Sequence, residues 1–448
     1  MGRQVNEREI VLAVLMEITE NGAYSHKILG EVLSKYQYLE KKERAFITRV
    51  TEGTLEHLIE IDYILDQFSK VKVKKMKPVI RNILRSGVYQ LKYMDSVPDH
   101  AVCSEAVKLA VRKGFSGLKG YVNGVLRSVA RGLDTLDYPQ EGIEALSIQY
   151  SIPTWILRLW EKSYGEEVTR TMAADFLKER PVTIRCCQNK VTPEQLKKEL
   201  EQEGVTVQEH PYLPYAFFIS GYDYLESLDC FWKGWFTVQD VSSMLVAELA
   251  APEAGNKIVD ICAAPGGKTL HAADLLAGSG QVLSADLTKE KTDLIQQNCQ
   301  RLGYQNVSVF QNDALVYKEE WKEKADVLIA DLPCSGLGVI GKKCDIKYKT
   351  KPEDIKVLAS LQKEILKNAV SYVKPGGRLL FSTCTIAQEE NEKNVAWIQE
   401  NLPLRLVSIE EDLPEKLQQK TGEKGYLQVL PTMAQTDGFF VSCFEKTI

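Results

Sequence analysis

One stretch limits the architecture more than any other. Lys257-Ile258-Val259-Asp260-Ile261-Cys262 is a short apolar run that passes into Ala263-Ala264-Pro265-Gly266-Gly267-Lys268-Thr269, and the residues from Leu270 to Leu276 predict a helix. Strand, glycine turn and helix in that order open a βα unit. The small residues let the backbone approach a ligand, and the helix start offers free N–H groups. From about residue 231 onward strands and helices alternate regularly, the pattern of a parallel sheet with helical crossovers.

The turn alone allows several ligands. A phosphate loop ends in Gly-Lys-Ser/Thr, which Gly267-Lys268-Thr269 supplies, but Cys262 occupies its required first glycine. A dinucleotide fingerprint is missing, and a lone Gly-Gly is as often a plain turn. The acids downstream separate these readings. Asp286 ends the run Val282–Ala285, 26 residues after Asp260, where an acid meets a ribose hydroxyl pair. Asp313 follows Val307–Phe310, placed to accept from an adenine amino group, and Asp331 ends Val327–Ala330. A single acid at a strand end is often a helix cap. Successive strands ending in acids that face one crevice are much harder to explain structurally. A ligand with a ribose, an adenine and no phosphates fits: S-adenosylmethionine.

Two cysteines supply the chemistry. Cys334 closes Asp331-Leu332-Pro333-Cys334, and Cys384 closes Ser382-Thr383-Cys384 after Leu379-Leu380-Phe381. Both fall where a buried strand ends, on the edge where open α/β sheets bind ligands. Buried cysteines are common small hydrophobes, and Cys103, Cys186, Cys187, Cys230, Cys299, Cys344 and Cys443 are read as that or as surface residues. Cys262 reads as packing or backbone contact. A thiolate can add to carbon 6 of a pyrimidine, which makes carbon 5 a nucleophile toward a sulfonium methyl group. A base then removes the carbon-5 proton and elimination frees the enzyme. The attacking thiol needs a lowered pKa in a polar or electropositive site. Asp331 is placed to hold the ring nitrogen and amino group of a cytosine.

The rest of the chain sets the context. Its 448 residues suffice for two or three domains, and 44% hydrophobic with 26% charged residues is ordinary for a soluble globular protein. No apolar run is long enough for a bilayer, and the opening residues do not read as a secretory signal. The ten cysteines are scattered without repeated spacing, which fits a reducing cytoplasm rather than a disulfide framework. Five histidines and no CxxC pair argue against a metal site. Residues 1–140 carry 22 Lys and Arg against 17 Asp and Glu, an excess of 5, so the remainder must hold −10 for the chain to total −5. A basic head on an acidic body delegates part of any RNA grip to the N-terminal part.

That head reads as helices almost throughout, with Ile10, Ala13, Val14 and Ile18 at helical spacing as a core stripe. Lys70, Lys72, Lys74, Lys75, Lys77, Arg81 and Arg85 form either a solvated face or a phosphate-contacting surface. The polar segment Arg131–Glu144 is a boundary. Beyond it come helices over 145–180, a strand at Pro181–Arg185, a helix opened by Thr192-Pro193 and a strand at Tyr215–Ile219. The expected domains are 1–135, helical; 145–230, helical with a small α+β part; and 231–448, the cofactor-binding sheet.

The motifs VQDVSSMLVA (238–247), DICAAPGGKT (260–269), ADLPCSGLG (330–338), KPGGRLLFSTCTI (374–386) and DGFF (437–440) resemble the Sun family of RNA cytosine-5 methyltransferases. Ser104–Ala110 and Tyr121–Arg127 resemble NusB-type helical RNA-binding domains. The two resemblances together imply an α/β fold, a Rossmann-like class I methyltransferase domain with an all-α NusB-like N-terminal domain and a small α+β subdomain between them. They assign Cys384 as nucleophile and Cys334 as the residue assisting proton removal and product release. They make Cys262, Ala263, Ala264, Pro265, Gly266, Gly267 and Lys268 the cofactor loop, with Asp286, Asp313 and Asp331 as further contacts. The implied substrate is one cytidine of 16S rRNA, free or within a partly assembled small subunit. The expected enzyme is a cytoplasmic monomer that uses S-adenosylmethionine and no metal or membrane. Two rivals remain open at this point: the same chemistry on tRNA, and a non-enzymatic RNA-binding assembly factor.

Overall fold

Helices fill the chain as far as Phe176. The computed structural model describes residues 6–421, 424–433 and 435–447. The chain forms two units. One runs to Lys178 and also takes in Ile340–Lys351; the other comprises Glu179–Val339 and the chain from Pro352 onward.

In the helical unit, Asn6 caps the first helix, Glu7–Thr19, by accepting from the Glu9 N–H at 3.0 Å. Its buried stripe is Ile10, Val11, Val14, Leu15 and Ile18. Ala13 is exposed, so the stripe turns one residue further round than its spacing suggested. The basic stretch divides in two. Lys70, Lys72, Lys74, Lys75 and Lys77 are exposed. Arg81 instead pairs with Glu20 at 2.6 Å, and the buried Arg85 forks onto Asp62 with two 2.7 Å bonds. Those two arginines hold the helices together, which leaves the lysines as the accessible cationic surface.

The inserted segment Ile340–Lys351 belongs to this unit's core. The Ser25 N–H and hydroxyl donate to Asp345 at 3.1 and 2.5 Å, Lys347 Nζ donates to the Glu56 carbonyl at 2.9 Å, and the Tyr348 hydroxyl donates to the Ser151 carbonyl at 3.1 Å. Lys347 is only 3% exposed, and burial pushes its ammonium down to about 8.

The second unit holds two sheets. The smaller is antiparallel: β1 (Val182–Cys186), β2 (Thr206–Glu209), β3 (Ala216–Ser220) and β4 (Phe236–Val238), in the order β2-β3-β1-β4. The helix Pro193–Gln202 starts on the capping box of Thr192 and Gln195. The helices from Gly142 to Phe176, of which the sequence grouping placed 145 onward with this small sheet, fall in the helical unit, and β4 comes from beyond residue 230.

The larger sheet is built from β5 (Lys257–Asp260), β6 (Gln281–Asp286), β7 (Val307–Gln311), β8 (Ala325–Asp331), β9 (Val373–Thr383), β10 (Leu404–Leu406), β11 (Tyr426–Val429) and β12 (Phe439–Lys446). Its order is β10-β12-β9-β8-β5-β6-β7, with β11 added on β12. Strands β5 to β9 pair in parallel and β12 runs against β9. Ile258, Val259, Leu328, Ile329, Leu379 and Leu380 are buried on successive positions, as strands covered on both faces require. The strand order reverses beside β5, so the crevice beyond its carboxyl end is the expected ligand site.

Candidate active site

The register brings the predicted residues to one edge. Asp260 lies opposite Ser284 and Ile329, Asp331 opposite Ser382, and Thr383 opposite Phe440. The ends of β5, β6, β8 and β9 and the start of β12 therefore share the carboxyl edge of the sheet.

After β5 the chain turns sharply. The Ala263 N–H donates to the Ala285 carbonyl at 2.9 Å and the Gly266 N–H to the Ala263 carbonyl at 2.7 Å. Gly266 has φ +103°, a conformation that favours glycine, and starts the helix Gly267–Leu275. Cys262, Ala263, Ala264, Pro265, Gly267 and Lys268 line a pocket with Asp240, Asp260 and Asp331. Burial pushes the Cys262 thiol up, which suits a wall residue rather than a nucleophile.

From sequence, Asp260 marked only the start of the 26-residue spacing to Asp286, yet it is the most distinctive acid here. It is fully buried, its Oδ2 accepts from the Thr269 hydroxyl at 2.6 Å, and its Oδ1 has no hydrogen-bond partner. Burial pushes it up to about 7 against the pull of that hydroxyl. A cationic donor from a ligand would complete it, and the ammonium of S-adenosylmethionine is such a group.

Asp331 is held by Lys268 at 2.7 Å and by the Ser382 hydroxyl at 2.8 Å, so it links the glycine turn to β9. Asp286 accepts from the Ala264 N–H at 2.9 Å, the Leu287 N–H at 2.7 Å and Lys291 at 2.8 Å. Its carboxylate ties the end of β6 to the glycine turn. Asp313 lies two residues past β7, exposed, and accepts from the Leu315 N–H at 2.9 Å. Neither Asp286 nor Asp313 is part of the pocket wall formed by the residues above.

The two cysteines meet. Cys334 Sγ and Cys384 Sγ are 3.2 Å apart, both half-buried and both free thiols. The sulfur–sulfur hydrogen bond, burial and the charge of Cys384, Glu390 and Asp331 hold the Cys334 thiol well above the usual range. The Gly338 N–H donates to the Cys384 carbonyl at 3.1 Å, and the Gly438 N–H to the Gly338 carbonyl at 2.8 Å. A Cβ on Gly338 would lie 1.9 Å from the Gly438 carbonyl oxygen. The PC, TC and DGFF segments thus touch through backbone at one point.

Sequence reasoning passed over the buried polar residues behind the thiols. Glu390, Asn391 and Asn394 are all fully buried. Asn391 accepts from the Thr383 hydroxyl at 2.6 Å and donates to the Thr385 carbonyl at 3.0 Å, bracketing Cys384. Glu389-Glu390-Asn391-Glu392 looks like a solvated helix start, and nothing local marks its second acid as internal. Among the described residues, no group of three His, Cys, Asp or Glu is arranged to hold a metal, and no helix is long and apolar enough to cross a membrane.

Comparison with known proteins identifies the family. Residues 247–445 match the family described as 16S rRNA methyltransferase RsmB/F, residues 5–131 match the NusB family, and residues 152–222 match the RsmF/B-like ferredoxin-like domain. The chain is 36% identical to the probable ribosomal RNA small subunit methyltransferase B of Bacillus subtilis (strain 168), over 99% of both chains. It is 31% identical to the ribosomal RNA small subunit methyltransferase B of Proteus mirabilis (strain HI4320), over all of both. The crystal structure of PH0851 superposes with a TM-score of 0.84 at 26% identity, covering 99% of this chain and 100% of that one. NSun6 from Pyrococcus horikoshii, solved with SFG, shares the fold at 23% identity, with a TM-score of 0.58 over 66% of this chain and 98% of its own. The protein belongs to the ribosomal RNA small subunit methyltransferase B family of S-adenosylmethionine-dependent Sun methyltransferases, with a NusB domain at its N-terminal end.

Proposed function

We propose that the protein transfers a methyl group to carbon 5 of one cytidine in 16S rRNA through a transient bond between Cys384 and carbon 6. One observation carries the reading: two free thiols 3.2 Å apart at adjacent strand ends, beside an acid tied to the glycine turn. Curated relatives named as small-subunit rRNA methyltransferases support the substrate class. The solved NSun6 with SFG, an S-adenosylmethionine analogue, supports the cofactor class.

Bound S-adenosylmethionine supplies an electrophilic methyl group on a sulfonium centre. Asp260 offers its free oxygen to the ammonium, and the turn at Gly266 and Gly267 admits the ligand close to the backbone. Asp331 accepts from the amino group of the cytosine, and from its ring nitrogen once that nitrogen is protonated in the adduct, with Lys268 and Ser382 fixing its carboxylate. The Cys384 thiolate adds to carbon 6, and the electron pair released to carbon 5 takes up the methyl group. Cys334, having given its own proton to solvent, then takes the carbon-5 proton as a thiolate. The electrons of that C–H bond re-form the ring double bond, the carbon–sulfur bond breaks, and Cys384 returns as a thiolate.

A stacked base hides carbon 6, so the target cytidine is single-stranded, in a loop or flipped out. The exposed lysines between Lys70 and Lys77 grip phosphates without reading sequence. Separate replacement of each thiol tests the chemistry. Cys384→Ala should abolish both methyl transfer and the adduct, whereas Cys334→Ala should accumulate a covalent protein–RNA species. Normal turnover by the Cys334 variant would refute its role. Bisulfite mapping of RNA from a deletion strain tests the substrate. Loss of one methylcytidine from 16S rRNA supports the proposal, and loss confined to tRNA overturns it.

A further inference from the structure

We infer that Glu390 is a positioning residue for the reaction proposed above, holding Cys334 and Cys384 in the relative placement that lets the adduct resolve. Glu390 is 0% exposed. Its two oxygens go to Ser335, the neighbour of Cys334, and to Gln362 rather than to solvent. Oε1 accepts from the Ser335 N–H at 2.9 Å and from Gln362 Nε2 at 3.2 Å, and Oε2 accepts from the Ser335 hydroxyl at 2.5 Å. Ser335 follows Cys334 directly. Its hydroxyl also lies 2.8 Å from that of Thr385, which follows Cys384 directly. Gln362 Nε2 in turn donates to the carbonyl of Pro333, the residue before Cys334, at 2.9 Å. Both neighbours of Cys334 are therefore fixed from one carboxylate, and a single hydroxyl pair joins them to the Cys384 side.

The arrangement suits an acid that sets thiol placement better than one that merely fills space. An isolated buried carboxylate is costly unless its acceptor sites are filled. Here the donors are one backbone N–H, one hydroxyl and one amide, and no cation is among them. Burial accordingly pushes Glu390 up to about 7, and its placement of Ser335, rather than its charge, is what serves Cys334. An acceptor-only side chain is needed, because all three partners donate. Glutamine at 390 keeps the shape but turns one oxygen into a donor, so at least one link to Ser335 or Gln362 must break.

The experiment uses full-length protein, unmodified 16S rRNA transcript and S-adenosylmethionine. With Glu390→Gln, adduct resolution should slow at least tenfold while S-adenosylmethionine affinity by calorimetry changes less than twofold. A covalent protein–RNA species should then accumulate, as expected for Cys334→Ala. A second measurement needs no RNA. Diamide takes two electrons and two protons from a pair of thiols, giving a disulfide and the reduced hydrazine. Disulfide formation between Cys334 and Cys384, followed by peptide mass spectrometry, should be rapid in the parent protein and at least tenfold slower in Glu390→Gln. Parent-like rates in either measurement overturn the inference. Should Glu390→Gln fail to fold, Ser335→Ala removes only the hydroxyl link and faces the same two measurements. A covalent RNA species formed by Cys384→Ala would refute the proposed function instead, and the disulfide rates would still judge Glu390.

Discussion

Replacing Gly338 with alanine should disable catalysis while leaving the cofactor pocket intact. The new Cβ would sit 1.9 Å from the Gly438 carbonyl oxygen, whereas carbon–oxygen contacts in proteins settle at about 3.3 Å. The two backbones must separate by about 1.4 Å, the difference between those distances. Neither chain can yield locally, because Gly338 donates to the Cys384 carbonyl and accepts from the Gly438 N–H. Losing both hydrogen bonds costs about 2 kcal/mol, and the strain of overpacking adds about 1–3 kcal/mol. The total, about 3–5 kcal/mol, should lower the unfolding temperature by about 6–10 °C at about 2 °C per kcal/mol for a unit of this size. A reacting group misplaced by about 1 Å loses on the order of a hundredfold in rate, so kcat should fall at least that far. The Kd for S-adenosylmethionine should stay within about twofold, since Gly338 is not among the residues that line the pocket with Asp260 and the glycine turn. Differential scanning fluorimetry, single-turnover methyl transfer and calorimetry measure the three quantities. A Gly338→Ala protein with parental melting temperature and turnover would refute the claim that the PC, TC and DGFF segments are locked through this contact.

Three further outcomes are expected. Binding of S-adenosylmethionine should weaken as pH falls below about 7, because the ligand ammonium needs the ionised form of Asp260, which burial holds at about 7 in the ligand-free site. Asp260→Asn should flatten that pH profile and weaken binding about tenfold or more, the worth of one charge-assisted hydrogen bond. The same raised pKa acts on folding in the opposite sense: its contribution is full below the unfolded value near 4 and is lost as pH rises through about 7. Arg185, 0% exposed, donates to Asp274 at 2.7 Å and to Gln239 at 2.9 Å. Arg185→Met should cost about 3–5 kcal/mol by stranding the Asp274 charge, seen as early unfolding of the second unit by hydrogen exchange. Neutralising Lys72, Lys74, Lys75 and Lys77 together should reduce the slope of log K against log salt for RNA by about 3 if all four meet phosphates, whereas Arg85→Gln should lower stability and leave the slope unchanged.

The parts legible from sequence were those set by neighbours in the chain. An apolar run ending in Asp331 or Cys384 marks a strand end because hydropathy and turn residues are local properties. The capping box at Thr192 and Gln195 is likewise local. What escaped depended on distant partners. Nothing local in Gly341-Lys342-Lys343-Cys344-Asp345-Ile346-Lys347 marks Asp345 and Lys347 as internal, yet both are buried, because Ser25 and the Glu56 carbonyl satisfy them from some 300 residues away. Arg185 looked like the end of an ordinary strand, and Asp274 on a later helix makes it an internal ion pair. Asp286 was placed correctly at a strand end, but its oxygens are taken by the glycine turn and Lys291, contacts no spacing rule reports.

Under the proposed function, the thiol pair would also order the chemistry. The first cause of the raised Cys334 pKa is its hydrogen bond with Cys384, and the charge on that partner adds to it. Both causes require Cys384 to be a free sulfur. Once Cys384 is bound to carbon 6 as a thioether, it is neutral and a poor acceptor, so Cys334 is left with burial and the more distant acids as its only restraints. Its proton then passes to solvent more readily, at the stage when the carbon-5 proton must be taken. Before the adduct forms, a protonated Cys334 donates to the Cys384 thiolate and does not compete as nucleophile. In the proposed reaction, the 3.2 Å separation thus lets bond formation at Cys384 remove the first cause that holds the Cys334 proton.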